Sequence, residues 1–151
     1  MRLLERMNLL AHCSLLCLAT MASWSAAAAP DPSLAGCWRA VKIVQSAPDG
    51  TRMEDTSGRC TLRFTDDQLA STCATASRPV TSTYRYEIVR PGVYLATMVA
   101  STFGTSLVGS SREYEYRVDG DRLTTASQLP ATAGAGAGAR VETQASRTAC
   151  P

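Results

Sequence analysis

The side chains of this sequence best suited to covalent, metal or redox chemistry are six cysteines and a single histidine. Cys13, Cys17 and His12 stand in the first 28 residues, apart from Cys37, Cys60, Cys73 and Cys150. That leading segment, residues 1–28, carries Arg2 and Arg6 in a short basic start, an interrupted apolar run through Leu9, Leu10, Leu15, Leu16 and Leu18, and a run of small residues at 25–29. It reads as a cleaved signal peptide, because the apolar stretch is broken and ends in A-x-A well short of the roughly 20 residues a membrane span needs. Neither Cys13 nor Cys17 follows the small residue that a lipid-anchor signal requires, since His12 and Leu16 precede them. The expectation is a periplasmic or secreted protein without a stable membrane anchor.

Cleavage would remove His12 and leave a mature chain with no histidine. A Ser-His-Asp or Cys-His site cannot then be built, and the commonest metal ligand is gone. Four remaining cysteines in an oxidising compartment predict two disulfides, with the pairing left open by the count alone. Zinc held by four thiolates is the rival reading, but no C-x-x-C spacing supports it. Asp66 and Asp67 are adjacent carboxylates on a tight turn, aimed at solvent and so poorly placed for paired acid–base chemistry. Glu113 and Glu115 share the polar face of a strand, and Ser106 and Ser110 sit in a loop with no base to activate them. Residues 131–139 contain G-x-G-x-G without the preceding strand and following helix that would aim amides at a phosphate, so they read as a linker. The sequence therefore predicts no catalytic residue, no metal and no cofactor.

The elements that position these residues are strands. About 120 residues after cleavage make one domain, read as a flexible lead at residues 29–35 and a barrel domain at 36–151. Alternation of period two marks residues 59–64, 68–75, 80–89, 93–100, 112–118, 122–129 and 141–150, and with the segment opened by Trp38 this makes an all-β fold of eight strands. Tyr84, Tyr86 and Ile88 share one face against Arg85 and Glu87, and Tyr114, Tyr116 and Val118 share another against Glu113, Glu115 and Arg117. After Pro91 and Gly92 the same parity brings Val93, Leu95, Thr97 and Val99 to the tyrosines. Asp119, Gly120 and Asp121 form a strong hairpin turn that sets Asp119 opposite Arg122 and Val118 opposite Leu123, with a one-residue slip left open. Residues 45–58 form a connection long enough to cross a barrel mouth, and residues 101–111 form a small polar loop around Phe103 and Leu107.

Register then addresses the cysteines. With Asp66 and Asp67 as a two-residue turn, Phe64 faces Leu69, Leu62 faces Ser71, and Cys60 falls opposite Cys73 at a separation a disulfide accepts. Cys37 is left to bond Cys150, tying the first strand to the last, as an up-and-down barrel without open edges requires. If those two are opposed, Trp38 pairs with Ala149 and Arg147 lies diagonally beside it, close enough for a cation–π contact of about 0.5–2 kcal/mol. Trp38 serves equally well as a plain core residue.

Charge points to no polyanion. Setting aside Arg2, Arg6 and Glu5, the 15 basic and 13 acidic residues become 13 and 12, interspersed along the strands with no basic patch. A nucleic-acid partner is not expected, and no amphipathic helix suggests a membrane surface.

Residues 33–38, Ser-Leu-Ala-Gly-Cys-Trp, a long first connection, eight strands and a late Arg147 resemble the lipocalins and their bacterial lipocalin-like relatives, within the calycin barrels. The segment from Tyr114 to Leu123 is similar to a hairpin of that group. The resemblance implies a closed antiparallel barrel that binds a small apolar or amphiphilic ligand without catalysis, lined here by Trp38, Tyr84, Tyr86, Leu95, Tyr114, Tyr116 and Arg147. The chain is shorter than the larger lipocalins and offers no helix before its last strand, so a barrel whose interior is simply filled is an alternative. The G-x-W and the early Cys60 and Cys73 also resemble periplasmic inhibitors of secreted metalloproteases. That likeness would make a secreted protease the partner and residues 29–33 the segment that enters its cleft.

Overall fold

Period-two alternation produces nine strands among the described residues of the computed structural model, which cover 29–129 and 138–150. They are β1 (Gly36–Ser46), β2 (Arg52–Asp55), β3 (Cys60–Phe64), β4 (Gln68–Ala74), β5 (Pro79–Arg90), β6 (Val93–Ser101), β7 (Ser111–Asp119), β8 (Arg122–Gln128) and β9 (Arg140–Thr148). The segment read as a signal peptide and most of the glycine-alanine stretch at 131–139 lie outside the described residues.

Eight strands close into a ring. The order is β1-β3-β4-β5-β6-β7-β8-β9, every neighbour is antiparallel, and β9 returns to β1 along the ladder from Cys37↔Thr148 to Ser46↔Arg140. β2, which the sequence reading held as part of an irregular connection, is a ninth strand outside the ring. It pairs with the far half of β1, from Ile43↔Asp55 to Ser46↔Arg52, and covers the edge that β3 leaves free. Lys42 fastens it through Glu54 at 2.8 Å.

The Asp66 and Asp67 turn sets the β3–β4 register as expected: Phe64↔Leu69, Leu62↔Ser71 and Cys60↔Cys73, the last pair joined by a disulfide. Asp119↔Arg122 and Val118↔Leu123 likewise match the glycine turn between β7 and β8. Cys37 is bonded to Cys150, but Cys150 lies two residues beyond the end of β9, so this bridge ties β1 to the C-terminal tail. Backbone hydrogen bonds between β1 and β9 close the ring. The register there also differs from expectation, for Trp38 stands opposite Arg147 itself and not Ala149.

Bulges account for the other departures. Irregularities fall between Ala40 and Lys42, between Thr83 and Tyr84, and between Ile88 and Arg90. An extra residue shifts alternation by one. The bulge before Pro91 brings Ile88 opposite Tyr94, so Tyr94, Ala96 and Met98 point inward. Leu95, expected on the inner wall, instead shares an outer groove with Arg85, Glu87, Thr97 and Val99, and Val99 is half exposed.

Candidate functional site

The interior of the ring has two unlike ends. At the closed end Leu34, Trp38, Phe64, Leu69, Tyr86, Tyr94, Ala96, Leu123 and Ala145 form one buried cluster. Tyr94 is its hub. It meets Phe64 and Tyr86 edge-on at 5.8 and 5.7 Å, stacks on Tyr114 at 5.0 Å and leans on Tyr116 at 5.7 Å. Edge-to-face and offset stacking are the arrangements that aromatic quadrupoles favour. Burial pushes the Tyr94 phenol well above its ordinary pKa, so it stays neutral.

Polar tips seal this end against the chain itself. The Trp38 indole donates from Nε1 to the Leu34 carbonyl at 2.8 Å, and Tyr86 donates its hydroxyl to the Thr65 carbonyl at 2.8 Å. Tyr116 donates to Asp31 Oδ2 at 2.7 Å, and Asp31 Oδ1 accepts the Ser33 amide. The hydrogen bond from Tyr116 holds the Asp31 carboxyl below the usual range, and burial followed by the neighbouring carboxylate raises Tyr116. Arg147 lies 4.0 Å from the Trp38 ring centroid and donates to the carbonyls of Ala35 and Ser33 at 2.9 and 3.0 Å. Gly36 is required beside it: its φ is +113°, and a Cβ there would sit 3.1 Å from the Arg147 guanidinium. The segment read as a flexible lead is thus a plug from Asp31 onward, fastened under the barrel. An inhibitor working through that segment would need it free.

The other end is built differently. Leu62↔Ser71, Ser71↔Ser82 and Ser82↔Ser101 carry a row of serines across β4, β5 and β6, with the last two hydroxyls 3.3 Å apart. Across the barrel Thr125 pairs with Thr143, and Thr125 and Ser127 are the buried polar residues among those described. Between the two rows stand Tyr84, Met98 and Tyr114. Small hydroxyl side chains occupy less volume than aromatic rings at the same positions would, and their mixture with Met98 and two phenols makes a wall both apolar and hydrogen-bonding.

The wall opens on one side. The β7–β8 ladder runs from the turn only to Glu115↔Ala126, while β7 stays paired to β6 as far as Ser111 and β8 stays paired to β9 as far as Gln128. Where β7 and β8 part lies a pocket of about 280 Å³, lined by Arg112 and Ser127 of the inner face and by Arg90, Glu113, Glu115 and Arg140 outside. Arg90 pairs with Glu113 at 2.7 Å, and Arg140 pairs with Glu115 at 3.4 Å and with Glu142 at 2.9 Å. Burial raises the pKa of the Tyr114 phenol, while Arg112 and Ser127 beside it act in the opposite direction.

Of the residues singled out in the sequence, Trp38, Tyr86, Tyr116 and Arg147 belong to the closed end, Tyr84 and Tyr114 sit between the ends, and Leu95 lies outside. Tyr94, Arg112 and the hydroxyl rows went unremarked. Inward parity over Arg112, Tyr114 and Tyr116 was available for Arg112, and serines at inward positions were the signal for the rows. No group of three histidine, cysteine, aspartate or glutamate side chains suited to a metal occurs among the described residues, nor does a helix long and apolar enough to cross a membrane. The two disulfides suit an oxidising compartment.

In structure the chain is similar to a lipocalin-like protein from Bacteroides uniformis, with a TM-score of 0.50 at 12% identity over 77% of this chain and 99% of that one. It is also similar to an uncharacterized protein from Bacteroides eggerthii, at 0.49 and 11% over 76% and 99%, and to a de novo designed fluorescence-activating β-barrel, at 0.42 and 16% over 76% and 93%. No protein-family model matches the sequence, and no curated protein matches it. The first likeness concerns the fold, which is lipocalin-like.

Proposed function

We propose that this is an exported, non-catalytic barrel that holds a small amphiphilic molecule in the hydroxyl-lined half of its interior, in the periplasm or outside the cell. The observation that carries the reading is the division of the interior. One end is packed with interlocking aromatic rings and sealed by the 31–35 plug, whereas the other keeps small side chains at inward positions that Leu or Phe would fill in a purely structural barrel. A packed floor beneath a roomier wall gives a rigid cup whose depth limits ligand length. Met98, Leu62 and the faces of Tyr84 and Tyr114 supply apolar contact, and the serine and threonine hydroxyls supply orientation.

Titration with an environment-sensitive apolar dye, followed by displacement with a panel of single-tailed amphiphiles, tests this. Displacement by at least part of the panel is expected, and it should be lost in Ser82→Phe, which places a ring on the inner wall without touching the floor. Failure of the whole panel to displace, or wild-type binding in Ser82→Phe, would show that the interior is only a core.

A further inference from the structure

The geometry points to Arg112 as the anchor for an anionic head group, making the ligand a single-tailed amphiphile that ends in a carboxylate or similar oxyanion and is held where β7 and β8 part. This rests on the binding reading above and specifies its ligand class. Arg112 shares the inward face of β7 with Tyr114 and Tyr116, and it stands opposite Ala96, which is 1% exposed. Among the described residues the ion pairs around the gap engage Arg90 and Arg140 with Glu113, Glu115 and Glu142, and none engages Arg112. Three arginines and two glutamates line the gap, and Glu142, paired with Arg140 beside it, brings the carboxylates to three, all of them held by Arg90 or Arg140. The neighbouring arginines are held by glutamates, whereas Arg112 hydrogen-bonds the Tyr114 side chain but pairs with no carboxylate among the described residues, so it keeps donors for an anion.

A guanidinium offers a planar fork of donors that matches a carboxylate bidentately, and its charge does not titrate away. Ser127 and Tyr114 add hydroxyls beside it, and the absence of ladder bonds above Glu115↔Ala126 leaves room for a head group between the strands. An acyl tail from that point runs inward past Met98 toward the serine row. A quaternary ammonium head would be repelled, and a neutral alcohol would gain no charge-assisted bond.

Dodecanoate, dodecanol and dodecyltrimethylammonium share one tail and separate these cases. Their affinities are measured by dye displacement for the wild type, Arg112→Gln, Arg112→Lys and the outward control Arg117→Gln. A charge-assisted hydrogen-bond pair corresponds to about a ten- to hundredfold preference for dodecanoate over dodecanol. The wild type and Arg117→Gln should show that preference, Arg112→Gln should lose it, and Arg112→Lys should fall between. Equal binding of dodecanoate and dodecanol by the wild type, or a preference surviving in Arg112→Gln, overturns the head-group assignment and leaves the cup intact. Binding of none of the three overturns both, and a circular dichroism spectrum matching the wild type certifies that each variant is folded.

Discussion

Truncating Arg147 to alanine should destabilise the barrel by about 3–4 kcal/mol. Two charge-assisted hydrogen bonds, to the carbonyls of Ala35 and Ser33, are lost, each counted at about 1–1.5 kcal/mol. The low end of the range applies because the side chain is 35% exposed and water can reach the carbonyls. The contact with Trp38 at 4.0 Å adds about 1 kcal/mol. Asp121, 3.5 Å away and 85% exposed, adds little. Arg147→Lys keeps a charge above the indole but cannot span both carbonyls, and it should recover about half the loss. Urea unfolding under non-reducing conditions reads this directly. With a slope of about 1–3 kcal/mol per molar for a domain of this size, the alanine variant's midpoint should fall by roughly 1–4 M. A loss below about 0.5 kcal/mol would refute the reasoning, since Arg147 would then be a surface residue near the plug and not its fastener.

Other consequences follow from the same geometry. Tyr94→Ala should cost about 3–5 kcal/mol as a large-to-small change at the hub of the core, while Leu95→Ala on the outer groove should cost under about 1 kcal/mol; equal losses in urea unfolding would mean that β6 faces the other way. Replacing Cys37 and Cys150 together by serine should cost about 4–5 kcal/mol and the Cys60 and Cys73 pair about 3 kcal/mol, because the bridges span 113 and 13 residues; the reverse order of melting temperatures would contradict the unfolded-chain argument. Tyr116→Phe should remove stability that depends on pH at both extremes. Asp31 is lowered by its bond from Tyr116, so that contribution is present above about pH 4 and lost in stronger acid; Tyr116 is raised by burial, so its contribution is present below about pH 10 and lost in stronger base. The difference in melting temperature from wild type should be flat between and shrink at either end, and a difference independent of pH would dissolve the pairing.

Features governed by local spacing were legible in the sequence. A two-residue turn at Asp66 and Asp67 fixes the partners of β3 by counting, so the Cys60 to Cys73 bridge could be placed, and the glycine turn at 119–121 did the same for β7 and β8. The tyrosine faces of β5 and β7 were equally plain. What escaped depends on pairing across the ring. Pure alternation carries no mark of the bulge before Pro91, and without it Leu95 was placed inside and Tyr94 overlooked. β2 is a short polar strand whose only reason to be extended is the free edge of β1. Residues 29–35 read as a loose lead, yet Asp31 finds Tyr116, 85 positions on, and Arg147 reaches back to Ser33 and Ala35. Arg112 was hidden for a related reason, because a charge on an inward strand position means something only once its neighbours are known to be paired elsewhere.

The central claim, that the hydroxyl-lined half of the barrel holds an amphiphile, is tested most directly by mapping amide shifts in a nuclear magnetic resonance titration with dodecanoate. The account predicts saturable shifts at Ser71, Ser82, Met98, Arg112 and Ser127, with Trp38, Leu123 and the plug at 31–35 unmoved. Shifts confined to Leu95, Thr97 and Val99 on the outer groove, or no saturable shift at all, would contradict it.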